Sequence, residues 1–97
     1  MASLELSATA VEDLDALILT HSLPRDTRPR VARSLRALEQ FPLMGRPLEG
    51  RWEGLRFLLG PWRWLVLVYV FVEAEDRVVV VAMRDARSSA AVTAAGR

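Results

Sequence analysis

The chain has 97 residues, 52% of them apolar and 26% charged, which describes one globular domain with a single modest core rather than a disordered chain. It holds no cysteine, so disulfides, thiol nucleophiles and thiolate metal sites are excluded, as suits a cytoplasmic protein. All 13 basic side chains are arginine, so no lysine can act as a general base and every cation is a permanent guanidinium.

The net charge of +1 conceals segregation. Glu5, Glu12, Asp13 and Asp15 stand unopposed near the start of the chain, where a secretory leader would carry bases. Arg25, Arg28, Arg30, Arg33 and Arg36 follow against Asp26 alone, and Arg46, Arg51, Arg56 and Arg63 against Glu49 and Glu53. Such a basic middle bears on the choice of partner more than the total does. The apolar run Trp62–Val72 is too short to span a bilayer and has an arginine inside it, so no membrane is expected.

Ser3–Leu6 alternates polar and apolar residues as a short first strand does. Ser7 or Thr9 can cap the helix that follows, and Val11, Leu14, Leu17, Ile18 and His21 fall on one face of it. Pro24 and Asp26 break and restart the chain, and Pro29 fits only the first turn of a second helix. Val31, Leu35 and Leu38 form that helix's inner face, Arg30, Arg33 and Arg36 its outer side, and Pro42 ends it. Two such helices make a hairpin whose apolar faces need a common surface to cover.

Leu43–Gly54, with three glycines and a proline, reads as an ordered but irregular loop. Leu55–Leu59, Trp62–Val72 and Arg77–Arg84 read as three consecutive strands, joined by Gly60-Pro61 and by the polar loop Glu73–Asp76. From Asp85 a short turn or helix is expected, then a frayed tail over residues 91–97, with about 4–90 ordered. The expected fold is α+β: an N-terminal strand and two-helix hairpin packed on a mainly antiparallel four-stranded sheet, one domain over residues 1–97.

The long strand has two apolar faces. Strict alternation places Trp62, Trp64, Val66, Val68, Val70 and Val72 on one, and Arg63, Leu65, Leu67, Tyr69 and Phe71 on the other. Two helices cover only one of them. The second face either meets a partner or is buried by twisting within the monomer.

These residues, in this order, resemble the RelE/ParE toxin superfamily of bacterial type II toxin–antitoxin systems. The resemblance covers residues 4 to about 90. It begins with Ser7-Ala8-Thr9-Ala10-Val11-Glu12-Asp13-Leu14, a polar cap followed by an acidic pair and leucine. It continues through Phe41-Pro42-Leu43-Met44-Gly45-Arg46-Pro47, similar to the family's Phe-Pro-x-x-Gly-Arg-Pro turn, then Gly54-Leu55-Arg56 and the stretch from Trp62-Arg63 to Tyr69.

The resemblance implies a microbial-RNase-like fold and the toxin half of a pair, with a cognate antitoxin as partner. RelE-like members cut mRNA in the ribosomal A site; ParE-like members inhibit DNA gyrase and carry no nuclease site. The RelE-like alternative is slightly favoured, and a catalytically inactive scaffold that only binds its antitoxin is a third.

For an endoribonuclease the chemistry needs activation of a 2′-hydroxyl, charge stabilisation at phosphate and a proton for the leaving oxygen. The resemblance places Arg56 and Arg63 at the phosphate, with Arg84 or Arg87 assisting. The family's second basic position on the Leu55–Leu59 strand is Leu58, its catalytic arginine falls on Asp85, and its terminal tyrosine falls near Ala91.

Other side chains admit two readings. Glu49 and Glu53 offer a carboxylate base or simply a solvated surface. Arg30, Arg33, Arg36 and Arg51 form either an RNA-tracking surface, with ribosomal RNA as the partner, or an ordinary wet face. Trp62 is a candidate for stacking on bases, whereas Trp64 and Tyr69 read as core and His21 as a helix cap or packing residue. No metal cluster, phosphate-binding loop or dinucleotide fingerprint is present, so no cofactor is inferred.

Overall fold

In the computed structural model of the chain, residues 1–87 are described. They form β1 (Ser3–Leu6), α1 (Ala8–His21), α2 (Thr27–Gln40), β2 (Arg46–Pro47), β3 (Arg56–Leu59), β4 (Leu65–Val72) and β5 (Arg77–Asp85). The expected fraying of residues 91–97, and position Ala91, lie outside the described residues.

The strands make one sheet in the order β1-β5-β4-β3-β2, with β1 parallel to β5 and every other pair antiparallel. The sheet therefore has five strands, not the four expected. The additional strand β2 comes from the glycine-rich loop, where Arg46 pairs with Phe57 and Pro47 with Arg56. Two residues, one of them a proline, leave no alternating pattern to read, and proline is tolerated because β2 is the sheet edge.

Local chemistry accounts for the helices. Ser7 caps α1, its Oγ accepting the Ala10 N–H at 3.0 Å, so the alternative cap at Thr9 is not used. Ser22, at φ 50°, closes α1 in the left-handed conformation, and the Leu23 N–H returns to the Ile18 carbonyl at 3.1 Å. At the other end of the linker the buried Thr27 hydroxyl donates to the Pro24 carbonyl at 2.6 Å. Arg28 and Asp15 join the two helices.

The register assigns the faces. Leu65, Leu67 and Tyr69 of β4, with Val78, Val80 and Met83 of β5, are buried against Ala10, Leu14, Val31, Leu35 and Leu38 of the helices. Fully burying one such aliphatic side chain contributes roughly 1.5–3 kcal/mol. Between Val68↔Ala82 and Tyr69↔Val80 the register shifts, leaving Val81 as an extra residue in β5. The start of α1 docks on this bulge: the Ser7 hydroxyl donates to the Val81 carbonyl at 3.3 Å, and Asp13 Oδ2 accepts the Met83 N–H at 3.0 Å.

The opposite face carries Phe57, Val66, Val68, Val70, Val72, Val79 and Ala82, all half-buried and uncovered by any described element. Twisting thus does not bury both faces. One expected placement changes: β4 begins at Leu65, and residues 62–64 belong to the preceding turn, where the Leu65 N–H donates to the Trp62 carbonyl at 3.0 Å. That turn breaks the alternation, so Trp62 and Trp64 pack against the helix-side core and not beside Val66.

Candidate functional site

The two ends of β4 carry different chemistry. At the Tyr69 end, the phenol is fully buried; its hydroxyl donates to the Pro42 carbonyl at 2.8 Å and accepts the Gly45 N–H at 2.9 Å. Burial pushes its pKa above the ordinary 10.0, against the opposing effects of the Gly45 hydrogen bond and the Arg56 charge. Arg56, opposite Tyr69 in the ladder, donates through one nitrogen to the carbonyls of Gly45 at 2.8 Å and Leu43 at 3.2 Å. The expected phosphate ligand on β3 is thus held by the loop it follows, and the motif Phe41–Pro47 is the segment that this network pins.

At the other end, the turn between β3 and β4 meets the end of β5 and the tips of both helices. Trp62 and Trp64 stack with ring centroids 5.8 Å apart and planes 14° from parallel. The Arg30 guanidinium lies 5.6 Å over Trp62, and that of Arg87 lies 4.8 Å over Trp64. His21, the last residue of α1, places its ring 4.8 Å from Trp64 and its Nε2 at 3.1 Å from Asp85 Oδ2.

Asp85 also accepts from the Arg87 backbone N–H at 2.8 Å and from the Arg87 Nε at 3.2 Å. The Arg87 side-chain hydrogen bond is the main reason its carboxyl lies below the usual carboxylate range. Burial opposes this, and the Arg87 backbone bond and the charges of Arg87 and His21 reinforce it.

Of the residues singled out from sequence, Arg30, Trp62 and Arg87 come together here. Arg63 is exposed in the same turn, between the two tryptophans. Arg84 is exposed opposite Val66, on the uncovered face. Arg56 faces the helices and sits four residues along β4 from Leu65, roughly 13 Å away, so it shares neither face nor end with Arg84. Glu49 and Arg51 are exposed beside the start of β3, whereas the tryptophan turn follows its end. Arg33 and Arg36 are exposed on α2.

His21 and Asp85 were not paired by any sequence signal. They lie far apart along the chain, and the position of Asp85 reads from the sequence as a departure from an arginine. No group of three or more His, Cys, Asp or Glu side chains suited to a metal ion occurs among the described residues.

No family model and no curated protein sequence matches the chain. Solved structures do. A metal-bound toxin from Helicobacter pylori matches 88% of this chain and 94% of its own at 21% identity, with a TM-score of 0.67. The E. coli toxin RelE, as a mutant in complex with an antitoxin RelBc peptide, matches 95% of this chain and 90% of its own at 14% identity and a TM-score of 0.66. The chromosomal ParDE toxin–antitoxin system of P. aeruginosa gives 88% and 96% coverage, 16% identity and a TM-score of 0.66. The chain has the RelE/ParE toxin fold. At these identities the likeness establishes architecture, and the chemistry of a RelE/ParE-fold chain rests on its own side chains.

Proposed function

We propose that this chain is the toxin component of a bacterial type II toxin–antitoxin pair, RelE-like in action, that halts translation by cleaving mRNA in the ribosomal A site. The observation that carries the reading is the gathering of Arg30, Arg87 and His21 about Trp62 and Trp64, with the exposed Arg63 in the same turn, at one end of a RelE/ParE-fold sheet.

In this reading the 2′-hydroxyl of a bound ribose attacks the adjacent phosphorus and the 5′-oxygen leaves. Arg63 carries the charge that accumulates on the phosphate oxygens, with Arg87, over Trp64, assisting, whereas Arg84 lies on the opposite face of the sheet. His21, oriented by Asp85, is the group in this region suited to moving a proton, a better-placed candidate than Glu49. Arg56 keeps the loop in place instead of holding phosphate.

A cytoplasmic location follows from that target, and among the described residues no helix is long and apolar enough to cross a membrane. The cognate antitoxin neutralises the toxin by covering the half-buried valine face of β4 and β5, the expected role of that second apolar surface.

One observation favours a ParE-like gyrase inhibitor instead. Arg56 and Arg84 face opposite sides of the sheet, and Leu58 stands where a second basic group would complete a phosphate grip. The deciding experiment is in vitro translation with purified protein, reading mRNA 5′ ends by primer extension with and without ribosomes. New ribosome-dependent ends that vanish in Arg63→Ala are expected. Intact mRNA together with growth arrest in cells would overturn the nuclease reading and direct attention to gyrase supercoiling.

A further inference from the structure

We infer that the layered cluster Arg30–Trp62–Trp64–Arg87 is a binding platform for an unpaired nucleobase of single-stranded RNA, with the neighbouring phosphates held by Arg63 and Arg33. The inference deepens the ribonuclease reading by naming where a base is held.

The cluster differs from packed core in two ways. Its rings are half-buried, and each has a guanidinium over it, on side chains that are 43% exposed for Arg30 and 60% exposed for Arg87. Arg30 and Arg87, each paired with a carboxylate, present their own planar faces to a base.

Charge bookkeeping points the same way. Asp26 balances Arg30 at 3.2 Å, Asp85 faces His21 and Arg87, and Asp15 balances Arg28. Arg63, which separates the two tryptophans along the chain, and Arg33, one turn of α2 beyond Arg30, are exposed with no carboxylate partner among the described residues. A flat, sequence-tolerant aromatic face beside uncommitted guanidiniums is the combination that stacking on single strands requires. An acidic peptide would use the cations and leave the stacked rings without a role.

The test is a fluorescence titration of the full chain carrying Trp52→Phe, so that the emission reports on Trp62 and Trp64 alone. The probe is a 2′-O-methyl hexa-adenylate, which lacks the attacking hydroxyl and so separates binding from cleavage; an abasic oligonucleotide of equal charge runs beside it. Quenching by the hexa-adenylate is expected, with clearly weaker binding of the abasic strand. Trp62→Leu should weaken binding about fivefold to a hundredfold, the range for loss of one base stack, while Trp62→Phe retains most of it.

Equal affinity for the abasic strand, no quenching at all, or unchanged binding by a folded Trp62→Leu protein would each overturn the platform. The abasic comparison needs no variant at the site, so it decides even if Trp62→Leu fails to fold. Base-dependent binding alongside intact mRNA in the translation assay would sink the nuclease reading and leave the platform standing.

Discussion

The two ends of β4 use aromatic side chains to opposite purposes. Around Tyr69 the phenol is buried and bonded to backbone, and the Arg56 guanidinium is committed to carbonyls of the same loop. Around Trp62 and Trp64 the rings are half-exposed, the neighbours are charged, and the covering side chains are long arginines that each pair with a carboxylate. A phenol that exchanges hydrogen bonds with two backbone groups fixes a loop; an indole pair capped by arginines leaves a surface open to a planar ligand. Substitutions at the first end should therefore cost stability, and substitutions at the second should cost binding.

The severest way to break the first end is Gly45→Ala. A Cβ there would lie 2.6 Å from the Tyr69 hydroxyl and 2.7 Å from the Phe57 carbonyl oxygen. Neither can retreat, because Tyr69 is fully buried and the carbonyl belongs to β3. A loss of about 3 kcal/mol or more is expected in urea denaturation. A variant as stable as the parent would mean that the loop does not approach the sheet as closely as described.

Tyr69→Phe sharpens the same point with smaller effect. It keeps the ring but strands the Gly45 N–H and the Pro42 carbonyl, costing roughly 1–3 kcal/mol. Because Tyr69 is the sole tyrosine, absorbance at high pH also reports on it alone. Its folded pKa lies above the ordinary 10.0, so the phenol stabilises the fold below that value and the contribution is lost as pH rises through the folded pKa. Ionisation in the folded chain should begin later than in urea; coincident curves would contradict the burial.

Arg56→Ala is the substitution that separates the two ends most directly. Loss of its bonds to Leu43 and Gly45 should cost about 1 kcal/mol, less than the Tyr69 change because one bond is exposed. Oligonucleotide binding should be unaffected. A stable variant that loses nucleic-acid binding would return Arg56 to the phosphate site.

The contrast also explains what the sequence could reveal. Both helices, β1, β4 and β5 were legible because caps and apolar periodicity are local signals, as at Ser7 and along Val31, Leu35 and Leu38. Strand β2 was not, since its pairing is dictated by Gly45 lying against Tyr69, a contact between distant positions. The face of Trp62 and Trp64 was misassigned because strict alternation was extended through a turn. The His21–Asp85 pair had no local signal at all, and Arg56 could be read as a site residue only by resemblance. The secondary structure was thus mostly visible, whereas the grouping of side chains into a site depended on topology.

The smallest expected effect lies at the second end. Arg87 and His21 hold the Asp85 carboxyl below its ordinary pKa of 3.8, so Asp85 binds a proton less readily in the folded chain than in the unfolded one. Its contribution to stability is then fully present above that ordinary value and disappears as pH falls through the lower folded value. Comparing wild type with Asp85→Asn by thermal denaturation, a small gap is expected above the ordinary carboxyl pKa, closing at lower pH as the carboxylate is titrated. A gap that persisted unchanged into strong acid would mean that the aspartate contributes through shape and hydrogen bonding, and that its charge does not hold Arg87 and His21 about the tryptophans.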